Sequence, residues 1–128
     1  MNTLLLTAGR VLLALYFLIP GIMKFASWDM HIQLMEKHDM PFTPILLGLA
    51  GVFQIGAALL LIANRFTWLV ALLLAGLVLV INVSLHDFWN YSGIEGAHEM
   101  QNFVKNLGIF AGLLVLSGHA LAERDKQV

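Results

Sequence analysis

Cysteine is absent from this chain, which excludes disulfides, thiol redox chemistry, iron–sulfur clusters and cysteine-ligated zinc. Charge is almost as scarce. Seven Lys and Arg and eight Asp and Glu among 128 residues leave a formal net charge of −1. That balance offers no basic face to a nucleic acid, so nucleic acid is not an expected partner. So few charges also cannot cover the surface of a soluble domain of this length. What the chain has in excess is apolar: 59% of its residues are hydrophobic. The lipid bilayer is therefore the expected solvent, and the length allows one domain.

The N-terminal stretch lacks a basic region ahead of its apolar run, Arg10 interrupts that run, and no small-residue cleavage site precedes Lys24. It reads as a retained transmembrane helix rather than a signal peptide. About 20 apolar residues are needed to cross about 30 Å of hydrocarbon as a helix. Four segments meet that length, at about residues 4–25, 42–63, 66–85 and 103–121. The second and third are separated by little more than Asn64, Arg65 and Phe66, which demands an antiparallel hairpin. Glycines recur in the spans, including a small-x-x-x-small pair at Gly108 and Gly112, and allow close helix approach. Between spans one and two, Trp28, Ile32 and Met35 recur at helical spacing among Asp29, Gln33, Glu36 and Lys37. That pattern predicts a short interfacial helix, with Pro41 and Pro44 opening the next span. The expected fold is thus all-α: an integral membrane four-helix bundle, residues 1–128 forming a single domain, with a short interfacial helix between spans one and two.

Four spans put both termini on one side with the Arg65 loop. Arg65, Arg124 and Lys126 on that side slightly outweigh Lys24 and Lys37 on the other. The positive-inside rule then predicts both termini in the cytoplasm and the His86-Asp87 end on the outer face. Trp28, Trp68, Trp89 and Tyr91 lie near span ends, where aromatic belts form.

Polar residues inside spans are costly and by default face protein rather than lipid. Span one carries Arg10 and Lys24, and span two carries Gln54 near its middle. In span three Asn82, His86 and Asn90 follow one another by single turns. Before and within span four, Asn102, Lys105 and Asn106 share a face. With both faces turned inward, Asn82, His86, Asn102, Lys105 and Asn106 would meet in a polar pocket, with Asp87 orienting His86 and the loop over residues 87–99 as its lid. The same residues also suit a plainer role. The asparagines can act as interhelical hydrogen-bond glue, the lysines can snorkel, and Asp87 can pair or cap.

Haem is not expected, because His86 and His119 lie at opposite membrane faces and cannot share an iron. A metal is not expected either: His31, His38, His86, His98, Asp87 and Glu99 show no ligand spacing of the HxH or HExxH type.

These residues form a recognisable pattern. Arg10, Phe17, Gly21, Lys24 and Phe25 give R-x6-F-x3-G-x2-K-F, followed by the Trp- and Met-rich interfacial stretch, the Asn64-Arg65 turn, the run HDFWN from His86, and NFVKNLGIFAG from Asn102. The chain resembles the DoxX family of small four-helix bacterial membrane proteins. The resemblance implies the bacterial inner (cytoplasmic) membrane and an association with oxidoreductase systems, as in the membrane subunit of a thiosulfate:quinone oxidoreductase. On that basis the expected function is a quinone- or small-amphiphile-binding subunit, at most a quinone-linked oxidoreductase subunit, working with a soluble or membrane oxidoreductase partner or as a homo-oligomer. Asn82, His86, Asp87, Asn102, Lys105 and Asn106 would bind the ligand, supported by Arg10, Lys24 and Gln54. The alternative is a non-catalytic scaffold or assembly protein whose polar cluster is structural. Relatives usually carry Glu where this chain has Gln54, so proton relay through span two is not expected and Arg10 must find another partner.

Overall fold

A computed structural model describes residues 2–126. The chain is all-α, with four helices long and apolar enough to cross a membrane. In order they are α1 (Asn2–Ala26), a short α2 (Trp28–Lys37), α3 (Thr43–Ala63), α4 (Thr67–Leu85) and α5 (Gly93–Lys126), with a 3-10 turn at Phe88–Asn90 before α5. Large aliphatic side chains such as Leu12, Leu49, Val52, Leu73, Val83 and Val115 stand exposed along the helices. In water such a surface would aggregate, whereas in a bilayer it faces acyl chains. The chain falls into two compact units, Met1–Val70 and Ala71–Val128.

In the first unit α1 and α3 pack closely along their length, with α2 against α3. The seam on α1 is Ala14, Phe17 and Gly21, and on α3 it is Leu47, Gly51, Gln54, Ala58 and Leu61, all buried and all at helical spacing. Small residues set the approach. A Cβ on Gly21 would lie 3.0 Å from Ile55 Cγ1, and one on Gly51 would lie 2.6 Å from the Phe25 ring. Phe25 in turn stacks on Trp28, ring centroids 6.0 Å apart, where α1 gives way to α2. Lipid tails are as apolar as leucine, so such packing, rather than a hydrophobic drive, holds the pair together.

The turns depend on left-handed residues. Asp39 (φ 56°) closes α2 and Asn64 (φ 57°) closes α3. In each case the next residue's N–H reaches back to a carbonyl one turn inside the helix: Met40 to Met35 at 3.2 Å, and Arg65 to Leu60 at 2.9 Å. This is the Schellman closure, and Asp and Asn tolerate its left-handed position better than most residues. The Thr67 hydroxyl then donates to Asn64 Oδ1 at 2.6 Å, tying the start of α4 to the end of α3.

The helix boundaries match the expected first three spans within two residues or so, and α2 falls where an interfacial helix is predicted. The fourth differs. It begins at Gly93, not near 103, so most of the expected lid over residues 87–99 is a 3-10 turn and the first turns of α5. At 34 residues α5 is about 51 Å long, outrunning the hydrocarbon by about 20 Å. Gly93, at φ 65°, and Gly96 permit the early start. A Cβ on Gly96 would sit 2.8 Å from the Tyr91 carbonyl oxygen.

Candidate functional site

The second unit brings the polar end of α4 against the beginning of α5. α4 and α5 are joined there by side-chain hydrogen bonds from Asn82 and His86. Asn82 is 1% exposed and, with Leu61, Leu74 and Leu113, is one of the largest fully buried side chains among the described residues. Its Nδ2 donates to the Phe103 carbonyl oxygen at 3.0 Å. That bond fixes the amide: the nitrogen faces α5, and Oδ1 is a buried acceptor with no donor.

One turn further along α4, His86 Nδ1 lies 3.0 Å from Glu99 Oε2, both side chains being about one-fifth exposed. A carboxylate only accepts, so Nδ1 carries the proton and Nε2 presents a lone pair in the neutral ring. Next along the chain, the rings of Phe88, Trp89 and Phe103 pack edge to face, with centroids 5.3 Å apart for Phe88–Phe103 and 6.0 Å for Trp89–Phe103. Phe103 is thus central twice, accepting Asn82 through its carbonyl and holding the aromatic cluster through its ring.

The other expected ligand residues distribute unevenly. Asp87 starts the 3-10 turn, and its Oδ2 accepts from Asn90 Nδ2 at 2.7 Å. The group on His86 Nδ1 is Glu99, where the sequence suggested Asp87. Asn106 is buried and Asn102 half-buried, but Lys105 is exposed. The face of α5 that meets α4 is therefore marked by Glu99, Phe103 and Asn106, spaced four and three residues apart, rather than by Asn102, Lys105 and Asn106. Glu99 is the residue that sequence reasoning left out of the site. The signal lay in the seam: counted back by single turns from the buried Ser117, Leu113 and Asn106, the stripe passes through Phe103 and arrives at Glu99. Among the described residues no three His, Asp or Glu come together to hold a metal ion.

The supporting residues belong to the first unit. Gln54 is 3% exposed and its Nε2 donates to the Phe17 carbonyl oxygen at 2.8 Å. Gly21, one turn beyond Phe17, lets α3 come near enough for this bond. Arg10 Nε donates to the Leu61 carbonyl oxygen at 2.8 Å. Leu61 lies in the last turn of α3, whose carbonyls carry the negative end of the helix dipole. Arg10 is thus accommodated by a helix C-terminus, with no carboxylate at position 54 required. Lys24 is half-buried in the last turn of α1, also at a helix C-terminus.

Comparison with known proteins places the chain in a family. The DoxX family model matches residues 5–87, which is α1 through α4, and ends one residue past His86. The inner membrane protein YphA of Escherichia coli (strain K12) is 30% identical over 113 residues, covering 88% of this chain and 81% of the relative. No solved structure gives a significant match. The matched segment holds Arg10, Phe17, Gly21, Gln54 and Leu61, the residues that join α1 to α3, and on these grounds the chain belongs to the DoxX family.

Proposed function

We propose that this DoxX protein is an inner-membrane subunit that binds a quinone or a similar small amphiphile at the α4–α5 end and serves an oxidoreductase system. The relative's name supports the inner membrane. Arg65, Arg124 and Lys126 favour cytoplasmic termini, which puts the His86–Glu99 end on the outer face. One observation carries the ligand reading. A fully buried amide, Asn82, keeps its oxygen without a donor while aromatic rings and a His–Glu pair gather one turn away. A head group held by few polar atoms and apolar walls needs just such a combination. Electrons would come from a soluble or membrane partner, since the residues supply hydrogen bonds and a proton-accepting ring nitrogen but no electron carrier. Protein purified from quinone-rich membranes and examined by native mass spectrometry should retain a quinone-sized ligand. A ligand-free preparation overturns the reading.

The scaffold alternative has its own support: Asn82 and His86 each already hold α5 through one bond. Under that reading His86→Ala lowers the amount of protein in the membrane and leaves no ligand-dependent signal to lose.

A further inference from the structure

The side-chain bond that Asn82 makes uses one N–H of its amide, and the buried Oδ1 beside it is left as an acceptor with no donor, which a ligand hydroxyl can satisfy and a carbonyl cannot. A quinone carbonyl is also an acceptor, and two facing lone pairs gain nothing from burial together. A hydroxyl group supplies the missing donor. His86 Nε2, one turn nearer the span end, is a second acceptor while Nδ1–H is directed at Glu99. Lys105, the charged donor among those expected to hold a carbonyl, is exposed. The Asn82 oxygen is also closed off from solvent, and the side chains that bridge α4 and α5 at the span end beyond it are His86 and Glu99.

We infer that the α4–α5 end is a gated acceptor site. It takes the hydroxyl, quinol-type form of a ring amphiphile in preference to the carbonyl form, with Asn82 Oδ1 accepting the hydroxyl proton and the His86–Glu99 pair parting to admit it. The inference rests on the ligand-binding reading above and deepens it. It concerns binding alone, with no electron transfer implied.

The test uses the full chain in nanodiscs under anaerobic conditions, with Trp28→Phe and Trp68→Phe so that Trp89, in the aromatic cluster, reports. Short-chain ubiquinol and short-chain ubiquinone are titrated separately. The expected result is a quinol preference of about tenfold, the scale of one hydrogen bond to a buried acceptor. That preference should collapse in Asn82→Leu and persist in Lys105→Gln. Equal binding of the two forms overturns the acceptor assignment while leaving an amphiphile site standing. Binding of neither overturns both. The gate is tested separately in H86C/E99C, a pairing open to specific labelling because the chain has no native cysteine. A short bis-thiosulfonate linker, joined to the two thiols through disulfides, should slow quinol entry at least tenfold, with recovery when the disulfides are reduced. Unchanged entry in the linked protein overturns the gate, and loss of the quinol preference in Lys105→Gln overturns the assignment to Asn82.

Discussion

Arg10 and Leu61, 51 positions apart, are joined by a 2.8 Å hydrogen bond from the guanidinium Nε to a carbonyl in the last turn of α3. A permanently charged side chain in an apolar helix has thereby found the negative end of a neighbouring helix. The same carbonyl also accepts the Asn64 N–H at 3.1 Å, so Arg10 fills its second lone pair. Arg10→Leu should therefore destabilise the protein by about 1–2 kcal/mol. Arg10→Lys should recover part of that, since an ammonium can still face the carbonyl. Thermal unfolding in a mild detergent checks the order: wild type above Lys above Leu.

Gln54 leads to the opposite expectation. Its Nε2 bond to Phe17 is one of the interhelical bonds worth on average about 0.6 kcal/mol in a membrane. Gln54→Leu loses that bond but also removes a buried Oε1 that has no donor. The net change should stay within about 1 kcal/mol. A collapse of the folded fraction on size-exclusion chromatography would show that Gln54 has a heavier duty than joining α1 to α3.

Two glycines should respond differently to the same added methyl. At Gly51 the obstacle is the tip of the Phe25 ring, which is 43% exposed and able to swing aside. At Gly96 the obstacle is the Tyr91 carbonyl oxygen, fixed in the backbone of the turn. Gly96→Ala should cost about 1–3 kcal/mol and Gly51→Ala less than about 1 kcal/mol. Paired melting curves decide it, and equal costs would mean that the turn before α5 yields more readily than its geometry indicates.

The His86–Glu99 pair is about one-fifth exposed, so water still screens it and its coupling should be modest. His86→Gln and Glu99→Gln, alone and together, form a double-mutant cycle with an expected coupling of about 0.5–1 kcal/mol. Strict additivity would mean that the two side chains do not act as a pair.

Much of this protein was legible in the sequence because lipid leaves few choices. A run of about 20 apolar residues must be a helix when no water can satisfy its backbone, so the four spans and the short α2 follow from composition and period alone. The motif residues Arg10, Phe17 and Gly21 were visible too, since their spacing places them on one stripe. Their partners were not. Nothing local to Arg10 points to a carbonyl at Leu61, because every span residue carries a carbonyl and only packing selects one. The early start of α5 was hidden for a similar reason: Gly93 to Asn102 is polar and glycine-bearing, reads as loop, and becomes helix once anchored through Phe103, Glu99 and the ring cluster. Helical phase then decided the site. A lysine and an asparagine one position apart differ by about 100° around the axis, enough to expose Lys105 and bury Asn106. Composition and helical period are enough to read this chain as a four-span membrane protein with a polar end. That Glu99 meets His86 and Asn82 meets the Phe103 carbonyl could be read only from the packing, because it depends on which atoms two separate helices bring within 3.0 Å.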